Sequence, residues 1–193
     1  MTIRDAAVEA YREALPALVA SLVGGLIAGV VLTGMRAELR EVPGLLVLVP
    51  ALLATRGNVY GSLGARIATA LHQGLIEPRV TAGDRRLRAA AAAALGNGLL
   101  ASAFAAVAAF LVLTVLGAQV APVGVLVAIA VLAGLLSGVV LVAVVVSVVF
   151  AGYRRGHNPD TLVGPIVTTT GDVFGVLFLL VAVRTVLAVV EVL

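Results

Sequence analysis

The chain has no cysteine, no tryptophan and, among its 13 basic residues, no lysine. Without cysteine it can hold no disulfide framework, no thiolate metal site and no thiol nucleophile. Aromatic residues make up 4% and charged residues 12%. That is too little for a basic face interleaved with aromatic rings, so no nucleic-acid partner is expected. It is also too little polar material to cover a soluble core of 193 residues.

What fills the space instead is apolar. Hydrophobic residues reach 62%, mean hydropathy is +1.18 and the few charges fall between apolar blocks. About 20 apolar residues in a helix cross the hydrocarbon core of a bilayer. On that measure the sequence predicts an all-α, polytopic membrane protein of five transmembrane helices, a single integral membrane domain over residues 1–193. The spans fall at roughly 15–35, 43–76, 88–116, 122–152 and 159–190. Valine is abundant in the last two. Runs of some 30 residues are too long for strands, however, and lipid requires backbone groups to bond internally, so helix is expected. The first run is longer than the core of a cleaved signal peptide and reads as a retained span.

Arginine sets the orientation. With the N-terminus inside, Arg4, Arg12, Arg79, Arg85, Arg86, Arg88, Arg154 and Arg155 lie inside, and Arg36, Arg40 and Arg184 outside. The expected topology is therefore N-in, C-out, and the expected location is the plasma membrane.

Polar groups inside a bilayer are costly and mark function by default. Asp172 lies some 13 residues into the fifth span and Asn58 some 15 residues into the second. At 1.5 Å per residue both fall about 20 Å from opposite faces, near the midplane. Gly164, Thr168 and Asp172 are spaced by four and share one helix face, with Thr169 beside it. Pro165 lacks a backbone donor and can free a carbonyl one turn earlier. These are hard oxygen ligands, suited to Mg²⁺ or Ca²⁺. A single carboxylate cannot build a dehydrating cage, so a hydrated Mg²⁺ fits better, and a two-fold dimer would bring two copies of Asp172 to one ion. In the second span Gly57, Gly61 and Gly64 allow close backbone approach, while Pro50 and Gly57-Asn58 could break the helix and expose carbonyls.

Blander readings stand beside these. Arg56 lies at a depth similar to Asp172, and a buried Arg56–Asp172 pair would neutralise both with no ion involved. Asn58 and Asn97 could be interhelical hydrogen-bonding residues. Thr168 to Thr170 could bond back to their own helix. Arg66 suits snorkelling. Asp160 suits a helix cap or a cation entry point. His72 and His157, near the inner ends, are weak metal candidates. Serines lack a histidine at matching depth, and a paired-aspartate protease would need a second mid-membrane Asp, so no enzyme is expected.

Segment 50–66, PALLATRGNVYGSLGAR, resembles the second membrane helix of the MgtE family and of the related eukaryotic magnesium solute carriers. Segment 158–175, NPDTLVGPIVTTTGDVFG, resembles their fifth helix. The resemblance implies a Mg²⁺ channel or transporter working as a dimer, its pore between second and fifth helices. Asp172 would hold hydrated Mg²⁺, helped by Thr168 and Gly164. Gly57, Asn58 and Gly61 would line the opposing wall. Mg²⁺ would be cargo rather than cofactor. Two departures stand out. Bacterial members carry large cytoplasmic regulatory domains ahead of the membrane part, so gating by such domains is not expected here. Their second helix is also richer in Asn and Gln after Gly-Asn, where this chain has Val59, Tyr60 and Ser62, with Arg56 before. The eukaryotic carriers join two five-helix units, so this single unit is expected to pair with itself or with a sister half, among membrane lipids. A Na⁺- or H⁺-coupled exchanger and a non-transporting scaffold are the alternatives.

Overall fold

A computed structural model of the chain describes residues 3–79, 84–156 and 159–191, without the side chains of 159–162 and of several residues before 18. Every regular element in these segments is helical. They are α1 (Ile3–Gly34), α2 (Arg36–Glu41), α3 (Leu45–His72), α4 (Arg85–Val115), α5 (Val123–Arg154) and α6 (Pro159–Val190). Among the described residues, four helices are long and apolar enough to cross a membrane: Leu45–His72, Arg85–Val115, Val123–Arg154 and Val163–Val190. Leu18–Gly34, within α1, is a shorter apolar helix.

The ends of these helices follow local chemistry. Asp84 caps α4, its carboxylate accepting from the amides of Arg86 at 2.9 Å and Leu87 at 3.1 Å. That cap draws Arg85 and Arg86 out of the expected loop and into the first helical turn, satisfying amides a helix start leaves open. Gly44, at φ 95°, opens α3, and a Cβ there would approach Leu113 to 2.9 Å, so only glycine suits both the backbone and the space. The turn after α4 is tied to this corner by the Ala121 amide, which donates to the Pro43 carbonyl at 2.8 Å.

One expectation fails. The second span is not interrupted at Gly57-Asn58, and Pro50 does not end it; α3 is continuous over Leu45–His72. A break at this depth would leave backbone groups unpaired in hydrocarbon, and the polarity of the segment is carried by side chains instead.

α3 packs against α4, α5 and α6, and α5 also against α4 and α6. α1 lies outboard, mainly on α6. Two apolar clusters fill the bundle. One gathers Met35, Leu45, Leu48, Leu52, Leu126, Ile129, Leu179 and Val183. The other gathers Tyr60, Leu63, Ile67, Leu71, Leu141, Val145, Phe150 and Val167. Between them lies a waist of small and polar residues. A Cβ on Gly138 would strike the Tyr60 hydroxyl, one on Gly98 would meet it at 2.7 Å, and one on Gly134 would meet Ser102 Oγ at 2.6 Å. Small residues here let helix backbones approach closely, as membrane packing favours.

Candidate functional site

The antiparallel seam between α3 and α6 is set by glycines. A Cβ on Gly64 would collide with Val163, and one on Gly57 would touch Thr168 Cγ2 at 3.9 Å. A Cβ on Gly175 would collide with Nη1 of Arg56 and meet Leu53 at 2.9 Å. Asp172 therefore sits between two points where its helix meets α3: Thr168 one turn before it, at Gly57, and Gly175 one turn after it, at Arg56.

Asp172 is half-buried, and among the described residues no hydrogen bond or ion pair engages its carboxylate. Gly164 and Thr168, on the same stripe, are exposed on the surface of the single chain. The Thr168 hydroxyl donates to its own helix, 3.0 Å from the carbonyls of both Gly164 and Pro165. Its oxygen keeps acceptor capacity, since a hydroxyl has one proton to give and two lone pairs. Thr169 bonds back to the Pro165 carbonyl at 2.7 Å and lies 3.0 Å from Ser21 Oγ on α1. A Cβ on Gly24 would collide with its methyl group. Thr169 thus faces α1, away from the stripe that carries Thr168. Pro165 is half-buried inside an unbroken α6.

On α3, Gly57 is half-buried against Thr168 of α6, Gly61 is half-buried with open space around it, and Asn58 is exposed. Asn58 turns to the α4 side. With Ser62, Arg66 and Asn97, and the alanines of α4, it lines a cleft of about 210 Å³. Within one chain, then, Asp172, Thr168 and Gly57 come together and Asn58 does not join them. The side chain of Asp160 and the whole of His157 lie outside the described residues. His72 Nδ1 donates to the Ala68 carbonyl at 2.8 Å, and its ring meets Tyr153 edge-on, which makes it a helix-end residue.

Arg56 is 4% exposed, and its Nε and Nη2 find no acceptor among the described residues. The Arg56–Asp172 pair of the blander reading is not formed. An ion pair among the described residues lies near the C-terminal end of α6, where Arg184 Nε donates to Glu38 Oε1 at 2.8 Å. Its own backbone amide and Arg184 both hold the Glu38 carboxyl below its ordinary pKa.

Among the described residues no three His, Asp or Glu side chains cluster as a metal cage. One carboxylate flanked by hydroxyl and carbonyl oxygens can attract a cation in its outer hydration shell but cannot strip it of water. Helix period put Gly164, Thr168 and Asp172 on one stripe, and they lie on one continuous helix. Sequence reasoning missed Gly175 as the seat of a guanidinium and Ser21 as the partner of Thr169; a small residue one turn from an intramembrane acid was the available signal for the first. Residues 49–182 match the model of a family described as MgtE, divalent cation transporter.

Proposed function

The chain belongs to the MgtE family of divalent cation transporters, and from that membership we propose that it carries Mg²⁺ across the plasma membrane through a pore between two copies. In this reading α1 completes five spans with the N-terminus inside and the C-terminus outside, as the arginine distribution favours. Helices α3 and α6 of each copy line the path. Asp172 supplies the charge, Thr168 and Gly164 face the hydrated ion, and Gly57, Gly61 and Asn58 form the opposing wall.

The observation that carries this reading is the half-open carboxylate of Asp172 with no partner among the described residues. An acid left unpaired in the bilayer needs water, a cation or a second chain. The stripe Gly164, Thr168 and Asp172 opens on the outer surface of a single chain, so a two-fold mate would set two carboxylates against one doubly charged ion. Mg²⁺ holds its waters tightly, and a site with one acid per chain suits an ion that keeps most of them.

Uptake of Mg²⁺ into proteoliposomes tests the reading, run with and without Na⁺ and pH gradients. Uptake down the Mg²⁺ gradient alone, lost in Asp172→Asn, is the expected result. Unchanged uptake in that variant removes the site. Flux that collapses without a counter-gradient makes the protein a coupled exchanger, and absence of flux in every condition makes it a scaffold.

A further inference from the structure

Arg56 is the charge that transport by Asp172 leaves unexplained. It is nearly sealed from solvent, and two of its nitrogens lack an acceptor among the described residues. Guanidinium stays charged at any physiological pH. Burying it unpaired is strongly unfavourable, so a carboxylate within reach exerts a large pull. Glu38 is held by Arg184 at the far end of α6. Asp172 is the acid one turn from its seat: the guanidinium rests on Gly175, and residues three apart on a helix carry Cβ positions about 5–6 Å from one another on the same side. A change of arginine rotamer is the movement that would carry the guanidinium across that interval. The resting place exists because residue 175 has no side chain; a methyl group there would collide with Nη1.

We propose that Arg56 is a tethered cation that competes with the transported ion for Asp172 and thereby selects divalent over monovalent ions. On Asp172 the guanidinium neutralises the acid with a two-donor fork. On Gly175 it leaves the acid open. A monovalent ion brings no more charge than the guanidinium and no matching fork, so it loses the contest. A divalent ion brings twice the charge and displaces it. Arg56 would thus set both the affinity for Mg²⁺ and the exclusion of K⁺.

The inference rests on Asp172 being the cation site, and the test separates the two. Full-length chain with Arg56→Gln, Arg56→Lys, Asp172→Asn and the Arg56→Gln/Asp172→Asn double change is titrated with Mg²⁺ calorimetrically, and K⁺ flux is measured in proteoliposomes. Arg56→Gln should bind Mg²⁺ about tenfold more tightly, the scale of one charge-assisted hydrogen bond, and should pass K⁺ where the parent does not. Arg56→Lys, which keeps the charge, should stay closer to the parent in affinity than Arg56→Gln and remain closed to K⁺. Asp172→Asn should bind no Mg²⁺ in either background. If Asp172→Asn loses binding while Arg56→Gln leaves affinity and K⁺ exclusion unchanged, the tethered cation is overturned and the site stands. If Asp172→Asn binds as the parent does, both fall. Should Arg56→Gln aggregate on size exclusion, Arg56→Met replaces it. A chain that folds with neither neutral residue overturns the proposal, because Arg56 would then be a part of the fold.

Discussion

Helix α6 carries two acid–base encounters and treats them in opposite ways. Near its C-terminal end Arg184 reaches Glu38 at 2.8 Å, with the arginine side chain 65% exposed and the acid 9% exposed. Twelve residues earlier, about 18 Å along the helix by its rise, Asp172 and Arg56 lie within a turn of each other's contacts and do not pair. The C-terminal pair joins an exposed guanidinium to a nearly buried carboxylate, so solvent screens the arginine far more than the acid and the pair's net worth stays small. The inner charges stand where desolvation is severe and each must find a counter-charge. A carboxylate left open at that depth, with a cation held one turn away on glycine, is arranged for exchange of partners. The Arg184–Glu38 pair is arranged to stay closed.

The largest effect that would break this contrast is in Asp172→Asn, for which Mg²⁺ uptake should fall tenfold or more, on the scale of one charged contact. Uptake equal to the parent would make the inner acid as passive as Glu38. Next is Gly175→Ala. The added methyl displaces Nη1 of Arg56, a flexible end that can swing to Asp172, so melting should shift little while Mg²⁺ affinity falls by up to about tenfold, the scale of one charged hydrogen bond. Unchanged Mg²⁺ affinity would mean that the guanidinium is not seated there. Gly138→Ala should cost about 1–3 kcal/mol, read as a lowered melting temperature in detergent, with the flexible Leu95 and the Tyr60 ring giving way together. Smallest is Glu38→Gln, expected to cost about 1 kcal/mol or less and to leave uptake intact. The pH dependence sharpens this last point. The Glu38 pKa is depressed, so its contribution is complete above the ordinary carboxylate value near ~4.3 and lost as pH falls through the lower native value. The parent should therefore lose slightly more stability than Glu38→Gln below about pH 4.

Much of this was legible in the sequence. The segment expected as a span at 159–190 forms the helix α6 (Pro159–Val190), of which Val163–Val190 is long and apolar enough to cross a membrane. Asp172 and its i, i+4 companions could be placed on one face because helix period alone fixes that. What period could not supply is which neighbour each face meets. Helices apolar nearly all round carry no directional stripe. Their azimuth is set by close approaches at Gly24, Gly64 and Gly175, which also decide that Thr169 meets Ser21 and that Asn58 turns toward α4. The continuity of α3 was missed for a related reason. Pro50 and Gly57-Asn58 are breakers in water, but in hydrocarbon a break needs something polar to meet the freed backbone. The start of α1 at Ile3, well before its apolar run, lay beyond what hydropathy reports.

The waist of the bundle bears on how its helices can move. With the Tyr60 hydroxyl filling the notch between Gly98 and Gly138, and Ser102 lodged against Gly134, α3, α4 and α5 interlock at mid-height through contacts that leave no room for a methyl group. Any sliding of these three helices past one another must first undo that interlock.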